Sequence, residues 1–289
     1  MAPSFSPLDL HDLEGIRVLV AMCVDHDGGL PDSSDADFVR RSFLAGPSIG
    51  MRASDGSLVA AAALGEPSNG VVPASGVVHP SCRGRGIGKS LVEWALSTAG
   101  DDLVQLRSES MTEEFEDLAA QFGFARVFCE HVMRRSTTPA LDAHLDNGIV
   151  LRPWTDDTAH GFFEAYSASF ADRPGFPGWT EPQWAENWTS DGDFRPDASL
   201  VAIDASGLPI GFVLIGAHWI EQIGVVPAWR RKGIARALLG HAVDSIAATG
   251  SEEVWLNVNE NNASAMSLYE GVGFSHFGRR GRFERATSA

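Results

Sequence analysis

The sequence predicts an α/β protein of the α+β type. Two tandem domains are expected, residues 1–140 and 148–289, each a mixed, mostly antiparallel sheet flanked by helices. Three observations carry this. The stretch Gly224-Val-Val-Pro-Ala-Trp-Arg-Arg-Lys-Gly-Ile-Ala-Arg-Ala-Leu-Leu239 reads as the end of a strand, a basic glycine-containing turn and the start of a helix. About half a chain earlier, Gly76-Val-Val-His-Pro-Ser-Cys-Arg-Gly-Arg-Gly-Ile-Gly-Lys-Ser-Leu91 repeats the pattern. Aligned from Pro80 to Pro227, the segments around both copies keep one order of strands and helices, as an internal duplication would. At 289 residues the chain has the length for two domains with a core each.

In the first half, apolar residues at helical spacing predict a helix over 8–26 with Asp9 as its cap. An acidic loop rich in Gly, Pro and Ser over 25–37 leads to a short helix at 36–44. Residues 49–53 and 58–64 around Ser54-Asp-Gly56 read as a hairpin. The strand 70–78 stops at Pro80, which has no N–H to donate. Beyond the glycine turn, Ile87, Leu91, Val92 and Ala95 form the apolar face of a helix. A strand at 103–106, a helix over 112–122 capped by Thr112 and stopped by Gly123, and strand material over 124–135 complete this half. A linker spans 136–148. The second half predicts a strand at 149–153, helices at 156–170 and 181–189 separated by a Pro/Gly loop at Arg173–Trp179, and a hairpin of 200–204 and 210–216. A central strand at 219–226, a helix at 234–248, a strand at 254–258, a helix at 263–270 and a terminal strand at 273–285 follow.

Composition narrows the function. With 22 Lys and Arg against 38 Asp and Glu, the net charge of -16 argues against nucleic acid and anionic membrane as partners and is compatible with a cationic small molecule. No apolar run approaches the ~18 residues of a membrane span, and Met1-Ala-Pro-Ser-Phe-Ser-Pro7 lacks the basic and apolar regions of a secretory signal. Cys23, Cys82 and Cys129 are too scattered for a disulfide framework or a zinc site and suit a reducing compartment. The expectation is a metal-free cytoplasmic protein acting as a monomer or homodimer.

Both loops fit Arg-x-x-Gly-x-Gly/Ala, as Arg83-Gly-Arg-Gly86-Ile-Gly88 and Arg230-Arg-Lys-Gly233-Ile-Ala235. Each follows a strand and opens an amphipathic helix. The first N–H groups of a helix have no internal partner and the macrodipole is positive there, so the pattern favours an anion. Small residues let the backbone approach it, and arginine forks suit a diphosphate. A Walker loop and a dinucleotide fingerprint are both absent from the sequence.

With these loops, and with Asn261-Asn-Ala-Ser-Ala-Met-Ser-Leu-Tyr-Glu-Gly-Val-Gly-Phe274 after the second, the chain resembles the GNAT superfamily of acyl-CoA-dependent N-acetyltransferases over nearly the whole of each half. The resemblance implies acetyl-CoA as acyl donor and direct transfer to a primary amine of a small molecule. A protein N-terminus or lysine is the alternative acceptor. The size and two-domain layout are also similar to mycothiol synthases, although the His-Trp-Thr-Lys segment of those enzymes is replaced here by Gly216-Ala-His218-Trp219-Ile220. A non-catalytic CoA-binding or sensing module is the alternative from another class, and the retained Tyr269 argues against it.

The same resemblance assigns residues. Backbone groups of Ile223, Gly224 and Val225 would flank the thioester and pantetheine. Arg230, Arg231, Lys232, Gly233, Ile234, Ala235 and Arg236 would hold the pyrophosphate, and Asn262 would touch the CoA arm. The first-half counterparts are Val77, Val78, Arg83, Gly84, Arg85, Gly86, Ile87, Gly88 and Lys89. Transfer also needs a base for the amine and an acid for the departing thiolate. Tyr269 matches the family's acid. For the base, strand alternation puts Glu221 on one face with Ile223 and Val225. His218 is a weaker alternative, and the position on the next strand where some relatives carry an acid is Asn257. In the first half, Ala119 stands at the Tyr269 position, Thr112 stands at the Asn262 position, and the strand before Pro80 carries no acid. That half is expected to bind CoA or to be structural, and the second half to catalyse. Cys82 lacks the partners of a nucleophile. Trp179, Trp184 and Trp188 either line a substrate pocket or pack a helix, with packing favoured.

Overall fold

A computed structural model describes residues 4–68, 70–142, 144–146, 148–171 and 178–285. Most of the Pro/Gly loop expected at Arg173–Trp179 therefore lies outside the described residues. The strands are β1 (Ser6–Pro7), β2 (Ser48–Arg52), β3 (Leu58–Leu64), β4 (Val71–Val78), β5 (Leu103–Ser108), β6 (Phe124–Ser136), β7 (Val150–Pro153), β8 (Leu200–Ile203), β9 (Pro209–Gly216), β10 (Trp219–Val225), β11 (Glu253–Asn259) and β12 (Ser275–Arg285). The helices are α1 (Leu13–Asp27), α2 (Ala36–Phe43), α3 (Ile87–Ala99), α4 (Glu113–Gln121), α5 (Asp156–Phe170), α6 (Glu181–Thr189), α7 (Ile234–Ala247) and α8 (Ala263–Gly271). The chain forms two compact units. Unit 1 comprises Met1–Val132, Val258–Asn261 and His276–Ala289; unit 2 comprises Met133–Asn257 and Asn262–Ser275.

In unit 1, β1 to β4 pair antiparallel in sequence order, β4 runs parallel to β5, and β5 pairs antiparallel with β12. Every residue of β3 is buried. Its alanines explain how: Ala61 and Ala63 pack toward Ile16, Leu19 and Val20 of α1, while Ala60 and Ala62 pack toward Ile87 and Leu91 of α3. Small side chains on both faces let two helices approach one strand closely. The terminal strand was expected within the second domain; β12 instead supplies Phe283 to the unit 1 core beside Met111 and Phe124. Phe283 also meets Phe115 edge to face, with ring centroids 5.2 Å apart. Gly281 lets this strand lie close, since a Cβ there would stand 2.5 Å from the Met111 sulfur.

In unit 2, β7, β8, β9 and β10 pair antiparallel in sequence order, and β10 runs parallel to β11. Large side chains replace the alanines here. Trp154, Phe162, Tyr166, Trp184 and Phe212 form the core under α5 and α6. Trp184 is fully buried and stacks on Tyr166 with centroids 4.9 Å apart, as the packing reading expects. Trp179 is 38% exposed. The start of α7 packs against β9 at Gly211, where a Cβ would come within 3.2 Å of Ile234.

Candidate active site

Two left-handed residues shape each glycine loop. In unit 2, β10 ends at Val225 and Pro227 opens one 3-10 turn to Trp229. Arg231 (φ 64°) and Gly233 (φ 81°) then take positive φ before α7 begins. The matched residues of unit 1 are Gly84 (φ 73°) and Gly86 (φ 81°). Residues of alternating hand turn successive N–H groups to one side and make an anion nest at the positive end of the helix. Glycine does this freely, whereas a residue with a Cβ gives up about 1–2 kcal/mol. Unit 2 therefore holds Arg231 in its turn against strain.

The arginine that opens each motif bonds back to the protein, so part of each fork expected to face a phosphate is already engaged, although Arg230 itself stays exposed. Arg230 Nε donates to the Val225 carbonyl at 3.1 Å, and its Nη2 donates to the Ser169 carbonyl at 3.0 Å. Arg83 Nε donates likewise to the Val78 carbonyl at 3.1 Å, and its two Nη atoms donate to both carboxylate oxygens of Asp27 at 2.8 and 2.5 Å. Asp27 is 5% exposed in its side chain. Burial alone would raise its pKa; the bonds from Arg83 and His26 outweigh that and hold it below the usual carboxylate value. Both arginines thus pin the loop to the strand before it. Lys232 is parked over Trp229, 4.3 Å from the ring centroid, and Arg236 Nε donates to the Asp142 carbonyl at 3.0 Å. Arg231 is exposed. In unit 1, Arg85 donates to the Ser81 carbonyl at 3.1 Å and Lys89 pairs with Glu93 at 3.8 Å.

The strands beside the loops differ more. In unit 1, β4 and β5 stay paired from Val71 opposite Leu103 through Ser75 opposite Arg107. In unit 2, β10 and β11 pair at Trp219 opposite Trp255 and Ile220 opposite Leu256, and the pairing stops there. At that point the register of β10 against β9 slips between Ile220 and Gln222, which makes Glu221 a bulge residue. The strict alternation expected to align Glu221 with Ile223 and Val225 is broken by this bulge. Glu221 itself is exposed, and Gly216 makes room for it: a Cβ there would lie 2.9 Å from Glu221 Oε1.

Beyond the last pair, Gln222 Oε1 and Asn257 Oδ1 are buried without a hydrogen-bond partner. So is Ser169 Oγ, which lies against Gly224. A Cβ at Gly224 would meet the Ser169 side chain at 2.8 Å and the Phe212 ring at 2.7 Å. A buried acceptor left unsatisfied costs about 1–3 kcal/mol. The open end of β10 and β11 therefore presents oxygens that a ligand with N–H groups would satisfy. Ser169 and Gln222 were not singled out from sequence; a second polar residue beside Glu221 within Ile220–Val226 was the available signal for Gln222.

Tyr269 sits on α8, 7% exposed, with its ring edge to face against Phe274 at 5.9 Å. Burial pushes its pKa up to about 12. Asn262 caps the same helix: its Oδ1 accepts from the Ala265 N–H at 3.2 Å and from the Ser264 hydroxyl at 3.1 Å. Thr112 does the same at α4, accepting from the Phe115 N–H at 3.2 Å. The Asn262 oxygen is thus taken up by capping, and only its amide NH2 remains for a ligand. His218 lies beside Trp219, with ring centroids 5.8 Å apart.

Comparisons with known proteins give the family and the fold. A profile of the acetyltransferase (GNAT) family matches residues 159–274. The mycothiol acetyltransferase of Thermobispora bispora is 31% identical over 92% of this chain and 93% of its own. A GCN5-related N-acetyltransferase from Sphaerobacter thermophilus superposes with a TM-score of 0.76 at 25% identity, covering 98% of this chain and 95% of that one. A tandem GNAT protein from the clavulanic acid biosynthesis pathway shares the fold at a TM-score of 0.65 and 16% identity, with 99% of each chain covered. Among the described residues, no helix is long and apolar enough to cross a membrane, and no group of three or more His, Cys, Asp or Glu is placed to hold a metal ion. The chain belongs to the acetyltransferase (GNAT) family and is an N-acetyltransferase.

Proposed function

We propose that the protein moves an acetyl group from acetyl-CoA directly to a primary amine of a small molecule, and that unit 2 does so. The observation that carries this reading is the open end of β10 and β11, where Gln222 Oε1 and Asn257 Oδ1 are buried without partners on the two strands that flank α7, the helix opened by the nest of Arg231 and Gly233. The donor's pantetheine arm has amide N–H groups that such oxygens accept from, and its diphosphate suits the nest. The residues present therefore fit the donor. Gly224 leaves the space that a side chain would fill.

Acetyl-CoA supplies the acetyl group activated as a thioester. The chain supplies the proton chemistry. Glu221, exposed on the bulge, is assigned to take the proton from the acceptor amine. Tyr269 keeps its hydroxyl proton below about pH 12, which suits it to donate toward a departing thiolate. Unit 1, where the pairing of β4 with β5 runs further toward the loop, to Ser75, and Arg83 is locked to Asp27, is assigned a supporting role. Its Ala119 has no proton to give.

One observation favours a narrower acceptor: relatives similar over nearly the full length are mycothiol acetyltransferases. An acceptor of that enzyme's kind is the second reading. Loss of the acetyl-CoA thioester, followed with polyamines, aminoglycosides, the acceptor of mycothiol acetyltransferases and peptides, separates the readings. Turnover with small amines and not peptides is the expected result. Turnover confined to peptides would overturn the small-molecule acceptor, and no loss of the thioester with any amine would overturn the transfer reading.

A further inference from the structure

We infer that a pocket lined by Arg135 and Arg236 takes the 3′-phosphate of the donor's adenosine, which makes Arg135, outside both glycine loops, part of the donor site. The inference rests on the acetyl-CoA reading above.

The pocket, about 440 Å³ in volume, lies in unit 2 among the end of β6, the segment Thr138–Asp142, α7 and the turn after α8 at Gly271–Gly273. Arg236 stands in the first turn of α7, three residues past Gly233 of the nest, so the pocket adjoins the loop assigned to the diphosphate. Arg135 is 7% exposed. Its Nε donates to the Ser136 carbonyl at 3.0 Å and its Nη2 to the Pro139 carbonyl at 2.6 Å, which fix the guanidinium in place. Its Nη1 is buried and donates to nothing. A buried charged donor without an acceptor is costly, and a chain with 38 acidic side chains has ample means to supply one. The acid on the rim, Asp142, is instead turned to His144 Nε2 at 3.1 Å. Burial disfavours the charged form of Arg135, Asp244 favours it and Arg236 opposes it; a dianion bound beside the two guanidiniums would offset both unfavourable effects with opposite charge.

A phosphomonoester carries roughly −1.5 to −2 charge and several acceptor oxygens. With the diphosphate assigned to the nest, the donor's remaining phosphate is the one on its ribose. Unit 1 has no such arrangement at the matched position, where Lys89 is paired with Glu93.

Calorimetric titration measures the site without turnover. For the wild-type protein, dephospho-CoA is expected to bind about tenfold or more weakly than CoA, and adenosine 3′,5′-bisphosphate to displace CoA where adenosine 5′-diphosphate does so poorly. Arg135→Met is expected to bring CoA and dephospho-CoA within about twofold while both still bind. The ratio is read on one protein, so a loss of stability cancels; Arg236→Gln, expected to shrink the ratio too, gives the same comparison from the other side of the pocket. Equal wild-type affinity for the two ligands, or an unchanged ratio in both variants, overturns the inference while leaving acetyl-CoA as donor. Inorganic phosphate competing as well as the bisphosphate would overturn the assignment to the donor. Binding of neither CoA nor dephospho-CoA would overturn the acetyl-CoA reading itself, and this inference with it.

Discussion

The glycine loops of the two units share a backbone down to the placement of two left-handed residues, yet the strands beside them part company. β4 and β5 remain paired as far as Ser75 and Arg107, whereas β10 and β11 separate after Ile220 and Leu256. The first arginine of each motif does the same job in both units, bonding back to the carbonyl at the end of the strand before it. Such a loop is therefore a joint between strand and helix before it is a ligand site. What distinguishes unit 2 is the bulge at Glu221 and the partnerless oxygens of Gln222 and Asn257 beyond it.

The largest effect that sharpens this comparison is at Tyr269. Tyr269→Phe keeps the ring and its packing on Phe274 while removing the proton, so kcat should fall about 10²–10⁴-fold in a steady-state assay, with the donor KM little changed. Full activity in this variant would break the assignment of chemistry to unit 2.

Next is the lock in unit 1. Asp27→Asn leaves Arg83 without its counter-charge. The loss should be about 2–3 kcal/mol in denaturant unfolding, less than the ~3–5 of a fully buried pair because the Arg83 side chain is 31% exposed. The sign of the pH dependence follows from the lowered folded pKa of Asp27. The contribution is present above the unfolded carboxylate value of about 3.9 and is lost as the pH falls through the lower folded value. Stabilities of the wild-type and variant proteins should converge on acidification.

A smaller effect is expected at Arg231. Replacing it with glycine, the residue at the matched position in unit 1, relieves the positive φ and should stabilise the fold by no more than about 1 kcal/mol while weakening donor binding through the lost cation. Stability falling by more than that would mean the Arg231 side chain holds the loop. The subtlest test is spectroscopic. The chain has 2 tyrosines, so in Tyr166→Phe an ultraviolet titration reports Tyr269 alone, and its ionisation should fall near the value of about 12 that burial imposes. Because the folded pKa is raised, its contribution to stability is complete below the unfolded tyrosine value of about 10 and is lost between there and about 12.

Much of the fold was legible in the sequence because local signals set it. The periodicity of 156–170 and 181–189 matches α5 and α6 end to end, and Thr112, Pro80 and the glycine turns mark boundaries that the structure keeps. What was not legible depends on contacts distant in sequence. Nothing local says that β12 belongs beside β5, since Phe283 would fill an apolar core in either unit. The bulge at Glu221 is invisible to an argument from alternation, which assumes an unbroken pleat. The roles of Arg83 and Arg230 could not be read from their motif, because Asp27 and the Ser169 carbonyl that hold them lie tens of residues away. Arg135 carries no motif at all; only its burial reveals it.

The central claim is that the opened strand pair of unit 2 is where the donor binds. Its most direct test is calorimetric titration of CoA against Gly224→Val and, as the control in unit 1, Gly76→Ala. Valine at 224 would collide with Ser169 and Phe212, whereas a Cβ at 76 meets nothing closer than 3.7 Å. Overpacking of this kind costs about 1–3 kcal/mol, so the melting of both variants should stay cooperative. CoA affinity is predicted to fall about tenfold or more in Gly224→Val and to stay within about twofold of wild type in Gly76→Ala. Unchanged affinity in Gly224→Val would contradict the account.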